Sequence, residues 1–160
     1  MMAAVPPVLA SAPLSFAQEP LWLLQSLDPA LTAYNLPRAL RIRGELDADA
    51  MERALQAVIA RHDPLRTRFA MVDGAPRQEV LAHAAFALSR EDLSALAPAE
   101  REAGLARTLR AVAGHVFDLA RPPAIVATLV RLAPDESVLA LCLHHIASDG
   151  ASNPLLAADL

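Results

Sequence analysis

A chain of 160 residues, 54% apolar and 20% charged, has the length and composition of one globular domain with room for a real core. A net charge of −4 argues against a nucleic-acid binder, which needs a clustered basic surface, and no stretch approaches the roughly 20 apolar residues of a membrane span. The single cysteine, Cys142, excludes an internal disulfide and points to a reducing compartment.

Residues 1–13 are uncharged and carry Pro6, Pro7 and Pro13. They lack the basic start and unbroken apolar run of a secretory signal, so the chain reads as soluble and cytoplasmic. Ser15 can cap a helix over residues 16–27, with Pro20 in its first turn and Pro29 beyond its end. Residues 36–46 read as extended: Leu40 and Ile42 alternate with Arg41 and Arg43 as in a strand with one wet face, and Gly44 ends it. Asp47 or Asp49 can cap the next helix, which runs to about Arg61. Met51, Leu55, Val58 and Ile59 share one face of it, and Pro64 stops it. Residues 65–72, Asp73-Gly74 and residues 76–81 read as a hairpin. A short strand is expected at 85–88 and helical segments at 91–96 and 98–116, the second weakened by Gly104 and Gly114. Residues 125–132 and 137–143 read as strands joined by a turn at Pro134-Asp135. The second shows no polar alternation, as expected of a central strand covered on both faces. Residues 154–160 look like the start of a helix. The order is that of an α/β chain with a mixed sheet.

The feature with chemical content is His144-His145-Ile146-Ala147-Ser148-Asp149-Gly150, set directly after that apolar strand. Three readings compete. Both histidines can be structural, one at the strand end and one at the surface. A metal site would use His144 or His145 with Asp149. Against it, adjacent strand residues point to opposite faces, and no Cys, Glu or further His is spaced to complete the set. Alternatively, one imidazole is a base presented by the turn, since imidazole can exchange a proton near pH 7. Cys142, inside the strand, reads as a buried, inert thiol.

The heptad does not stand alone. Ser15-Phe16-Ala17-Gln18 followed by Leu21-Trp22 resembles the opening motif of nonribosomal peptide synthetase condensation domains. Residues 61–69, Arg-His-Asp-Pro-Leu-Arg-Thr-Arg-Phe, resemble their second motif, R-H-E-x-L-R-T-x-F, and residues 144–150 resemble their active-site motif, H-H-x-x-x-D-G. Tyr34-Asn35-Leu36-Pro37, the turn at residues 43–47 and Phe117-Asp118-Leu119 fit as well. Plant-type BAHD acyltransferases share only the last motif. The chain departs from the pattern at Glu19-Pro20, where an arginine is usual, at Asp63 for glutamate, and at Ala151 for tryptophan.

The resemblance implies a chloramphenicol-acetyltransferase-like half-domain, a mixed β-sheet packed against helices. Residues 1–13 would be a lead segment and 14–160 the N-terminal subdomain of a condensation domain, truncated at its C-terminus, with the active site in a tunnel shared with a second half. It implies amide-bond formation between an acyl or peptidyl thioester and an aminoacyl amine. No cofactor or metal binds directly; both substrates ride on the 4′-phosphopantetheine arms of upstream and downstream carrier domains. The remaining implied partners are an adenylation domain or the C-terminal half; nucleic acid and membrane are not among them. His145 takes the catalytic position. His144 becomes a packing and hydrogen-bonding residue, and Asp149 a structural acid paired with Arg66. Gly150 supplies a backbone conformation or close approach denied to other residues. Enzymatic activity, of the acyltransferase type, is expected once the second half completes the site. The rival expectations are a non-catalytic remnant or split fragment needing a partner chain, and a related epimerisation or acyltransferase domain. Cyclisation domains carry Asp in place of the first histidine, so His144 argues against that branch.

Overall fold

The computed structural model describes residues 6–148. Among the described residues two sheets carry the fold. The smaller has the order β1-β4-β3, built from β1 (Val8–Pro13), β3 (Thr67–Val72) and β4 (Ala75–Leu81). The larger has the order β2-β7-β6-β5, built from β2 (Asn35–Arg43), β5 (Ser89–Asp92), β6 (Ile125–Ala133) and β7 (Glu136–His144). Among the described residues three α-helices complete it: α1 (Gln18–Leu27), α2 (Ala48–Arg61) and α3 (Pro98–Ala113).

Strand β7 is an inner strand of the larger sheet. It pairs antiparallel with β2 on one side and with β6 on the other, and residues 137–144 are all buried. That is why its sequence lacks alternation. Leu139, Leu141 and Leu143 enter a core with Leu55, Val58 and Ile59 of α2 and Leu65. Ala140 and Cys142 face the other way, against Val112 of α3 and Phe117. The Cys142 thiol is fully buried, and desolvation raises its pKa, as suits an inert core group.

Local chemistry sets the element boundaries. Asp47 caps α2, its Oδ1 accepting from the N–H groups of Asp49 at 2.8 Å and Ala50 at 3.0 Å. Pro64 ends that helix and opens a short 3-10 turn at Asp63–Arg66. Asp73 (φ 49°) and Gly74 (φ 78°) both take the left-handed conformation a two-residue hairpin turn requires. Ser15 Oγ accepts from the Gln18 N–H at 3.3 Å, but α1 begins at Gln18 rather than at residue 16, so Ala17 and not Ser15 holds its N-cap position.

Two stretches differ from expectation. Residues 8–13 form strand β1, paired along β4; all six are exposed, so no hydrophobic alternation marks them. The strand expected at 85–88 and the helix at 91–96 are replaced by β5, which pairs parallel with Thr128–Arg131 of β6. Arg90 leaves this edge strand to meet Asp49 at 2.7 Å and Glu52 at 2.6 Å on α2, while Glu91 accepts from Thr108 of α3. Tertiary pairing overrides the local helical pattern here.

Candidate active site

Strand β7 ends in a fork. The His144 N–H donates to the Ala124 carbonyl at 3.1 Å, on the β6 side, and the His145 N–H to the Tyr34 carbonyl at 2.9 Å, on the β2 side. The two side chains part accordingly: His144 is 1% exposed, whereas His145 lies at the surface.

His144 is buried in the core. Its ring sits edge-on to Phe117 at a centroid distance of 5.7 Å, and Phe117 in turn meets His115 at 4.7 Å. Its Nδ1 accepts from the Ile146 N–H at 3.1 Å, which places the proton of the neutral ring on Nε2. Burial first, and the neighbouring His145 second, push its pKa down to about 4, so the ring is neutral near pH 7. Nε2 is buried without a hydrogen-bond partner among the described residues.

His145 is held differently. Its Nδ1 lies 2.9 Å from the Ser148 carbonyl oxygen. A carbonyl oxygen only accepts, so Nδ1 must donate, and the neutral ring then carries its lone pair on Nε2. The turn that brings Ser148 round is closed by Ala147 N–H to His144 O at 3.0 Å and Ser148 N–H to His145 O at 3.4 Å. Four consecutive residues therefore fix one imidazole's orientation and tautomer, the arrangement a general base or an amine-orienting group needs.

The three sequence motifs meet at this turn. Leu14, Phe69 and Ile146 form one buried cluster, with Leu21, Trp22, Leu119 and Ala147 packed against it. The first motif supplies Leu21 and Trp22, the second Phe69, the third Ile146 and Ala147. The second motif is also laced to the histidines through one residue. Ala124 donates its N–H to the Leu65 carbonyl at 3.1 Å and accepts from His144 through its own carbonyl.

Arg66 is largely buried. It donates to Asp63 and to the carbonyls of Ala60 (3.2 Å) and Leu81. These three bonds occupy part of a guanidinium's five donors. Asp149 and Gly150, expected as its partner and as the backbone-conformation residue, lie outside the described residues. A second arginine of the same motif, Arg68, carries a cross-strand pair with Glu79 at 2.7 Å, with side chains 25% and 10% exposed. Sequence reasoning assigned no role to Tyr34, Asn35, Phe117 or Ser148. Two of these act through backbone carbonyls, which no side-chain pattern reveals. Among the described residues no three His, Cys, Asp or Glu side chains group as metal ligands, and no helix is long and apolar enough to cross a membrane.

Comparison with known proteins accounts for this convergence. The chain is 43% identical over 148 residues to a linear gramicidin synthase of Brevibacillus parabrevis, covering 92% of this chain and 3% of that protein. It is 45% identical over 152 residues to the isonitrile lipopeptide synthase of Mycobacterium tuberculosis, covering 94% of this chain and 6% of that one. Among solved structures, the starter condensation domain of rhizomide synthetase superposes with a TM-score of 0.85 at 30% identity, over 94% of this chain and 37% of the solved one. The first condensation domain of the CDA synthetase gives 0.84 at 26%, over 94% and 39%. The chain thus spans 3% and 6% of these two synthetases and under two-fifths of these two solved domains. The condensation-domain family profile matches residues 8–160, starting with strand β1 and running through all three motifs; the chain belongs to the condensation-domain family of nonribosomal peptide synthetases.

Proposed function

We propose that this chain supplies the histidine-bearing wall of a site that joins a carrier-bound acyl or peptidyl thioester to a carrier-bound aminoacyl amine. The amine nitrogen attacks the thioester carbonyl carbon, a C–N bond forms, and the C–S bond breaks. The amine gives up one proton, and the departing pantetheine sulfur leaves as a thiol. Nε2 of His145 is the group that accepts this proton or holds the amine as it attacks. The observation that carries the reading is the Nδ1 contact to Ser148, which leaves Nε2 as the free lone pair on an exposed ring.

The substrates arrive on 4′-phosphopantetheine arms of an upstream and a downstream carrier domain, and the protein itself holds no cofactor in this reading. His144 stays neutral and shapes the turn. Asp149 pairs with the remaining donors of Arg66 and ties the loop to the second motif, and Gly150 lets the backbone turn closely beside it. The other wall of the site comes from the C-terminal half of a complete condensation domain, working beside an adenylation domain.

The test uses a complete condensation domain carrying this chain and two loaded carriers. The condensed acyl-aminoacyl product on the downstream carrier is the expected result. Inversion of the donor α-carbon with no amide formed would overturn the proposal in favour of an epimerisation domain.

A further inference from the structure

We infer that Asn35 is a positioning residue for His145, acting through the Tyr34 carbonyl; this rests on the reading of His145 as the group that handles the attacking amine. Only one inter-strand hydrogen bond holds the His145 backbone among the described residues, the 2.9 Å bond from its N–H to Tyr34 O. The position of that carbonyl therefore helps to set where the imidazole stands, together with the turn through Ser148. Tyr34 lies one residue before β2, which is an edge strand of its sheet among the described residues. An edge strand's first residue frays readily unless something ties it.

Asn35 is that tie. Its Nδ2 donates to the Ala113 carbonyl at 2.7 Å and to the His115 carbonyl at 2.8 Å. Ala113 is the last residue of α3, where helix carbonyls have no intrahelical donor, and His115 lies two residues beyond it. One carboxamide thus closes a helix end and pins the start of β2. Both partners are acceptors, so the identity of the amide nitrogen is settled and Oδ1 faces elsewhere. Oδ1 is buried and has no hydrogen-bond partner among the described residues. A buried acceptor left unmade is costly, which marks the two donor bonds as the reason for the residue. In register, Asn35 stands directly opposite His144, so the pinned residue belongs to the rung that ends the catalytic strand. The main chain on the other side of His145 is fixed independently, through the bond from His144 to Ala124.

A displaced base lowers turnover without weakening carrier docking, because a small misplacement of a reacting group costs rate rather than binding. Asn35→Asp keeps the shape and removes both donors. In a complete condensation domain, this variant is expected to lower kcat about tenfold or more, leave KM for both loaded carriers within about twofold, and speed hydrogen exchange at the His145 amide relative to the His144 amide. Asn35→Ser, which keeps one hydroxyl donor, is expected to fall between the two and decides the matter if the aspartate variant does not fold. Wild-type kcat, or exchange that accelerates equally at both amides, overturns the inference. His145→Ala separates the two claims. Full activity there removes the functional reading, whereas loss of activity there with a wild-type Asn35→Asp removes only the positioning role.

Discussion

The imidazole of His145 and the carbonyl of Ser148 are 2.9 Å apart, across a turn of four residues, and this contact assigns the ring its tautomer. The adjacent histidine takes the opposite one, because its Nδ1 accepts from Ile146. Two neighbouring imidazoles of identical chemistry thus take opposite tautomers because of what their Nδ1 atoms meet. Nitrogen-15 NMR of ring-labelled protein checks this directly. In the neutral state His145 is expected to show a protonated Nδ1 and an unprotonated Nε2, and His144 the reverse.

The burial of His144 makes stability depend on pH. Its pKa falls from 6.5 in the unfolded chain to about 4 in the fold, so between those values the unfolded state binds more protons. Stability therefore rises with pH across this window, is fully present above about pH 6.5, and is lost as pH falls toward about 4, by about 3 kcal/mol. His115, whose pKa burial also lowers, adds to the same slope. Denaturant titrations at pH 7 and pH 4.5, on wild type and His144→Asn, measure it. The variant is expected to lose most of the difference, since Asn can accept from the Ile146 N–H but does not titrate.

The pair Arg68–Glu79 spans the β3–β4 hairpin at 2.7 Å with both groups largely withdrawn from water. Glu79→Ala leaves a partly buried guanidinium without its carboxylate, and the expected cost is about 1–3 kcal/mol, reduced by the quarter exposure of Arg68. A double-mutant cycle with Arg68→Ala is expected to recover part of that loss. Purely additive effects would show that the two side chains do not couple.

Gly104 lies inside α3, where alanine would ordinarily help by about 1 kcal/mol. A Cβ there would stand 2.9 Å from Leu93 Cδ1, and Leu93 is 4% exposed with little room to swing. Overpacking of about 1–3 kcal/mol outweighs the propensity gain. Thermal melts are expected to place Gly104→Ala below wild type, and Leu93→Ala in the same chain to remove the penalty specific to the added methyl.

The sequence shows some of this plainly and hides the rest for physical reasons. The helix over α2 and the buried strand β7 are legible because their side chains follow one environment each: Leu55, Val58 and Ile59 repeat at helical spacing, and residues 138–143 are apolar throughout. The hairpin is legible from Asp73-Gly74, which has few other uses. Strand β1 is not, because none of its side chains is buried, and β5 is not, because its partners lie in β6 and α2 rather than beside it in sequence. The histidine motif announces the site. What orients it, the carbonyls of Tyr34, Ala124 and Ser148, belongs to the backbone and has no residue signature. Asn35 shows the intermediate case: its place in a motif is visible, but its two acceptors, at and just beyond the end of α3, are separated from it by more than 70 residues of chain.

The most direct measurement is the single-turnover rate of amide formation by a complete condensation domain carrying His145→Ala, with both carriers loaded and the melting temperature recorded alongside. A loss of about 100-fold or more in rate at an unchanged melting temperature is the predicted result, because the ring is exposed and its removal leaves the buried cluster of Leu14, Phe69 and Ile146 intact. A rate within a few-fold of wild type would contradict the assignment of His145 as the group that handles the attacking amine.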